Sequence, residues 1–163
     1  MDIRTGNGID FHRFIENKER PLVLGGIEID SPLALDGHSD ADVVLHAISD
    51  AILGALGLED IGYYFPDTDA TIKNIDSSII LKKSISLMKE KKFILSNCDI
   101  TYVGEKPKIS PYRKQIKEKL AEILGITEDR IGLKATTTEK MGSIGRVEGV
   151  MVFASVILIK DIQ

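Results

Sequence analysis

The chain has 163 residues, 43% apolar and 28% charged, with 25 acidic side chains against 21 basic ones and a formal charge of −4. That composition describes one ordinary globular domain, residues 1–163, with enough apolar side chains to bury a core. It argues against nucleic acid as a partner, because no run of lysines is interleaved with aromatics, and against a membrane, because no apolar stretch approaches the roughly 20 residues of a spanning helix. Residues 1–8 lack the apolar core of a signal peptide, so a soluble, cytoplasmic protein is expected. The lone cysteine, Cys98, permits no internal disulfide and suits a reducing compartment.

Residues 3–10 set apolar and small positions around two glycines and predict a short strand ending in a polar loop. Two apolar runs within 22–29 flank Gly25 and Gly26, the pattern of a tight hairpin. Across 41–56, Val44, Leu45, Ile48, Ile52 and Leu56 recur at helical spacing, and Gly57 follows as a stop. After an Asp- and Gly-containing loop at 59–75, Asp76 caps a second helix to about residue 91, with Ile80, Ile85 and Met88 inward.

Residues 93–103 read as a strand, in which Cys98 is a buried thiol and not a nucleophile. Ser110 and Pro111 supply an N-cap and first-turn proline to a third helix, whose stripe Ile116, Leu120, Ile123 and Leu124 ends at Gly125. Strands at 130–136 and 149–159 follow, separated by a glycine-spaced loop. This order predicts an α/β fold of the α+β two-layer sandwich type, a mixed β-sheet with helices on one face. The last strand is almost continuously apolar, so both its faces should be covered. Three helices cover one sheet face only, so the other is expected to pack in an oligomer.

All three histidines, His12, His38 and His46, lie in the first third of the chain with carboxylates nearby. Asp10 and His12 form a D-x-H pair, which on an extended segment projects both side chains to one side. His46 sits on the first helix, four residues from both Asp42 and Asp50, and the three share a polar stripe. A carboxylate and two imidazoles leave one tetrahedral position open, the layout of a catalytic zinc site. Asp50 is placed to orient the His46 ring from behind. The same residues also suit a solvated helix stripe and a satisfied polar corner.

His38, Ser39 and Asp40 precede the helix, where free backbone amides favour an anion. Capping by Ser39 or Asp40 accounts for them equally well. Asp60, Gly62, Asp67 and Asp69 crowd one loop, a composition that ordinary turns also have. Thr136, Thr137, Thr138, Glu139 and Lys140 close a strand with hydroxyls, a carboxylate and a cation. That mixture suits a phosphate, with Glu139 open to a hard divalent cation, although threonine runs are common strand formers too. Lys106, Pro107 and Lys108 offer a further cation-bearing loop.

Taken in order, G-I-D-F-H at 8–12, L-G-G at 24–26, H-S-D-A-D-V-V-L-H-A at 38–47 and D-I-G-Y-Y-F-P-D-T-D at 60–69 form a recognisable series. With E-K-P-K at 105–108, K-A-T-T-T-E-K-M-G at 134–142 and G-R-V-E-G at 145–149, the chain resembles the 2-C-methyl-D-erythritol 2,4-cyclodiphosphate synthases over essentially its whole length. The resemblance implies a homotrimeric phosphorus–oxygen lyase of the non-mevalonate isoprenoid pathway, with active sites between subunits. It would cyclise 4-diphosphocytidyl-2-C-methyl-D-erythritol 2-phosphate and release CMP.

The same resemblance implies zinc on Asp10, His12 and His46, and erythritol and phosphate contacts at His38, Ser39, Asp60, Gly62 and Asp67. From the neighbouring subunit it implies a cytidine diphosphate pocket at Gly104, Glu105, Lys106, Pro107, Lys108, Thr136 and Thr137. It also implies Mg2+ or Mn2+ at Glu139, and Arg146 and Glu148 near a threefold axis. Ala41 stands where the family often has glycine, and at a helix start alanine is favourable. The alternatives are a metal-dependent phosphohydrolase with a metal-bound water as nucleophile, and a non-catalytic trimer that binds metal or prenyl diphosphate.

Overall fold

A computed structural model describes residues 2–16, 20–66, 68 and 73–161. β1 (Ile3–Ile15) turns Gly6, Gly8, Asp10 and His12 to one face and Ile3, Ile9 and Phe11 to the other. It runs beyond the loop expected after residue 10, because Phe11, His12 and Arg13 pair with Met151, Val150 and Gly149. Phe14 and Ile15 then pair with Leu35 and Ala34 of β4 (Ala34–Leu35). β2 (Leu22–Leu24) and β3 (Ile27–Ile29) form the expected hairpin, with Gly25 and Gly26 both at positive φ, 63° and 77°. Only glycine takes two successive left-handed positions there without strain.

α1 (Val43–Ala55) lies against β1 at backbone contact. A Cβ at Gly6 would stand 2.0 Å from the Ala51 carbonyl oxygen, and one at Gly8 would stand 2.1 Å from that of Ala47. Ala47, Ala51 and Ala55 are the matching small residues on the helix. Helix and strand therefore share a seam too narrow for side chains on the strand, and His46 beside it reaches Asp10 and His12.

The α1 cap is Asp42, not Ser39 or Asp40. Its fully buried carboxylate accepts from the backbone amides of Val44 and Leu45 at 3.1 and 3.2 Å and from those of Gly25 and Gly26 at 2.9 and 2.6 Å. Asp42 thus belongs to the core and not to a solvated stripe, and it ties the hairpin to the helix. Because the helix starts two residues later than expected, Ala41 lies outside it at φ 58°. Left-handed alanine costs about 1–2 kcal/mol, so this residue is strained where a favourable helical start was expected.

α2 (Ile61–Tyr64) is one turn, and α3 (Ser77–Glu90) starts from its Asp76 cap as expected. β5 (Phe93–Val103) leads to Ser110–Tyr112, which is a 3-10 turn in place of the expected helix start, with Tyr112 N–H bonded three residues back to the Ile109 carbonyl. α4 (Arg113–Leu124) follows and ends at Gly125. A second 3-10 turn, Glu128–Arg130, delays β6 (Ile131–Thr136), and the short α5 (Gly142–Gly145) precedes β7 (Gly149–Lys160).

The sheet has the order β4-β1-β7-β5-β6, antiparallel except for the β5/β6 pair. α1, α3 and α4 bury one face together with Leu45, Ile48, Ile52, Leu81, Ile100 and Leu120, each contributing about 1.5–3 kcal/mol. The opposite face leaves Phe11 63%, Ile3 53% and Ile9 51% exposed, with Ile94 and Phe153 beside them. Half of the apolar β7 pattern therefore faces outward in a single chain. Among the described residues no helix is long and apolar enough to cross a membrane.

Candidate metal centre

β1, β5 and β6 run in one direction, so their C-terminal ends and the start of β7 meet at one end of the sheet. Register aligns Asp10 with Val152, Val152 with Tyr102, and Tyr102 with Ala135. The outer members of that row are three strand spacings apart, about 14 Å. One cluster of polar residues lies beside β1 and α1, and a second beyond β5 and β6.

In the first cluster, Asp10 Oδ2, His12 Nε2 and His46 Nδ1 converge. The separations are 3.0 Å for Asp10–His12, 3.1 Å for Asp10–His46 and 3.2 Å for His12–His46. A tetrahedral ion held at 2.0–2.1 Å has ligand-to-ligand edges of about 3.3 Å, so this donor set fits zinc in both chemistry and spacing. His12 Nδ1 lies 2.6 Å from the Asp36 carbonyl oxygen, which takes its proton and leaves Nε2 as the donor to a metal. Burial pushes the Asp10 carboxyl up, but hydrogen bonds and charge from His12 and His46 outweigh this and hold it at about 2. Burial lowers the His12 pKa, and the Asp10 partnership outweighs that and raises it.

The triad opens into a cleft of about 270 Å³ lined by Gly37, His38, Ser39 and Gly62 on its polar side and Phe65 and Ile80 on its apolar side. His38 is exposed at this cleft, while Ser39 is buried with its hydroxyl 3.2 Å from His46 Nε2. Asp60 caps α2, accepting from Tyr63 N–H at 3.1 Å. Asp67 and Asp69 lie outside the described residues. Asp50 does not take the position expected behind the His46 ring: its carboxylate accepts from Ile61 N–H at 2.8 Å, and burial raises its pKa. The Nε2 of His46 instead meets the hydroxyl of Ser77 at 2.8 Å.

In the second cluster, a pocket of about 150 Å³ is lined by Gly104, Pro107, Lys108, Thr136 and Thr137 with Arg113. Tyr102 shapes it from below, its hydroxyl donating to the Lys106 carbonyl at 2.7 Å. Glu105 accepts from Lys140 N–H at 3.0 Å, which joins this loop to the Thr-rich one. Glu139 is exposed with its amide 3.2 Å from Thr137 Oγ1. Arg146 donates to Glu148 at 2.6 Å, and Glu148 lines a separate cleft with Phe11 and Ser143.

Spacing alone pointed to the triad but not to its supports. Ser77 reads only as the residue after a helix cap, and Asp40 only as a candidate cap. Arg20, outside every motif, donates to the Gly37 carbonyl at 2.9 Å and to the Ser39 carbonyl, and so ties down the cleft wall.

The model of the YgbB family matches residues 3–159. A 2-C-methyl-D-erythritol 2,4-cyclodiphosphate synthase of Leptospira borgpetersenii is 60% identical over 159 residues, covering 98% of this chain and 99% of that protein. Among solved structures, the bifunctional IspDF of Campylobacter jejuni superposes with a TM-score of 0.91 at 46% identity, over 96% of this chain and 42% of that one. The CDP complex of IspF from Plasmodium falciparum superposes with a TM-score of 0.85 at 38% identity, over 98% of this chain and 97% of that one.

Proposed function

The chain belongs to the YgbB family, and from that premise we propose that it converts 4-diphosphocytidyl-2-C-methyl-D-erythritol 2-phosphate to 2-C-methyl-D-erythritol 2,4-cyclodiphosphate and CMP. It does so as a phosphorus–oxygen lyase in the non-mevalonate supply of isoprenoid precursors, in the cytoplasm, and the whole of 1–163 is one synthase domain. The observation that carries this reading is the convergence of Asp10, His12 and His46 on one open cleft, in a chain so close to named synthases along its full length.

The working unit we propose is a homotrimer. Within one chain the metal triad and the Thr136–Thr137 pocket are separated by the width of β7 and β5, and the uncovered sheet face carries Ile3, Ile9, Phe11 and Phe153. Packing copies on that face buries these side chains and lets the second cluster of one subunit approach the triad of its neighbour.

The reacting groups need little from acid–base chemistry. The 2-phosphate is already an anion, so its oxygen attacks the β-phosphorus without a general base. The bond from that phosphorus to the bridging oxygen breaks, and CMP departs with the oxygen and its electron pair. Zinc on the triad and Mg2+ or Mn2+ at Glu139 supply, when bound, the positive charge that a diphosphate chain requires at its oxygens. His38, Ser39, Asp60, Gly62 and Asp67 align the erythritol phosphate. Gly104, Glu105, Lys106, Pro107 and Lys108, with the Thr136 and Thr137 hydroxyls, hold the cytidine end, and Arg146, near the threefold axis, is a further substrate-binding residue. Ser39 is buried in the wall of the cleft, where hydrogen bonds orient more firmly than in water.

Chromatographic assay of CMP release tests this function. The wild-type protein is expected to form CMP and the cyclic diphosphate in equal amounts. His46→Ala should lower the rate about 100–1000-fold, the scale of removing a main electrostatic contributor, with the oligomer intact. Wild-type activity in His46→Ala would overturn the assignment.

A further inference from the structure

We propose that Ser77 and Asp40 are positioning residues for His46, setting which of its ring nitrogens faces the metal; this rests on the metal-site reading of the triad. Ser77 is the first residue of α3 and is fully buried. Its hydroxyl meets three groups: His46 Nε2 at 2.8 Å, Ser39 Oγ at 3.3 Å, and the Asp40 carboxylate in a short contact. A serine hydroxyl has one proton to give and two lone pairs to receive with.

Asp40 decides where that proton goes. Its carboxylate already accepts from the backbone amides of Asp42 and Ser77, each at 3.1 Å. Acting as acceptor throughout, it takes the Ser77 hydroxyl proton as well. The Ser77 oxygen then faces His46 with a lone pair only; Ser39 Oγ, 3.2 Å from the same Nε2, gives its proton to the second Ser77 lone pair, and the proton of the neutral imidazole sits on Nε2. Nδ1 is left bare, 3.1 Å from Asp10 and 3.2 Å from His12.

The other histidine is set by the same logic from the opposite end. The Asp36 carbonyl takes the Nδ1 proton of His12 and bares Nε2. The two rings thus present different nitrogens to one point, each fixed by a partner outside the triad. The chain of groups joins the segment before α1, the ring on α1 and the first turn of α3, so it also prevents the His46 ring from rotating. Such supporting partners change metal affinity about 10–100-fold when removed.

The test uses the full-length protein with zinc itself as probe. Zinc affinity is measured by chelator competition on the wild type, Ser77→Ala, Ser77→Thr and Asp40→Asn. Nitrogen NMR of the zinc-loaded protein reads the tautomer of each histidine. Ser77→Ala is expected to bind zinc about 10–100-fold more weakly, Ser77→Thr to restore most of that loss, and the wild-type His46 signal to show a proton on Nε2. Asp40→Asn, which keeps size but can donate to Ser77, is expected to weaken zinc binding even if a Ser77 variant fails to fold. Zinc affinities of Ser77→Ala and Asp40→Asn within twofold of a zinc-binding wild type would overturn the proposal alone. A wild type that binds no zinc would overturn the metal reading together with it.

Discussion

Asp10, His12 and His46 form a charge arrangement in which each group depends on the others. Asp10 held at about 2 stays ionised through the neutral range, so the proton at issue is that of His12, whose pKa is raised. A raised histidine stabilises the metal-free fold below its unfolded value of about 6.5, and that contribution is lost as pH rises through the higher folded value. Zinc competes for the same nitrogen. Its affinity is therefore expected to climb with pH, by at least about tenfold per unit, up to the folded pKa of His12 and then to level off. Chelator competition from mildly acidic to mildly alkaline pH measures this, and a flat profile would contradict it. At this scale the triad was legible, because D-x-H on a strand and a histidine on an amphipathic helix are local patterns. The supports were not, because Ser77 is 31 residues from His46 in sequence and only the packing of α3 on α1 brings them together.

The element that places the site is the α1/β1 seam. Gly6 and Gly8 are required by the helix backbone they touch and not by their own dihedrals. Gly8→Ala sets a methyl against the Ala47 carbonyl and must lift α1 from the strand, so a loss of about 1–3 kcal/mol or more is expected. Thermal unfolding measures that loss, and zinc affinity should fall with it because His46 moves with the helix; unchanged values for both would contradict the seam. The hairpin, α1, α3 and α4 were readable from spacing and glycine stops. The cap was not: two carboxylates, Asp40 and Asp42, compete with Ser39 at one helix start beside the strained Ala41, and Asp42 prevails because Gly25 and Gly26 bring two more donors to it. β1 outran its expected end because its partner β7 is long, a tertiary fact that no local pattern carries.

For the whole molecule, the covered and uncovered sheet faces divide the labour. The apolar run of β7 implied cover on both sides, and a single chain supplies it on one. In the trimer proposed above, a subunit with a defective triad still offers a sound cytidine pocket, and the reverse holds for a pocket variant. Mixing unfolded His46→Ala and Thr137→Ala chains and refolding them together is expected to recover a fraction of the activity that neither has alone. No recovery from mixed trimers would place both clusters of a working site on one chain. Titration of the same variants should show Thr137→Ala losing CMP more than zinc, and His46→Ala losing zinc more than CMP.

The most direct measurement is phosphorus NMR of the wild-type protein with 4-diphosphocytidyl-2-C-methyl-D-erythritol 2-phosphate, zinc and magnesium, with and without a chelator. The expected spectrum shows CMP and an eight-membered cyclic diphosphate growing together, and neither with the chelator. Inorganic phosphate or an open diphosphate in place of the ring, or unaltered substrate beside zinc-loaded protein, would contradict cyclisation at this site.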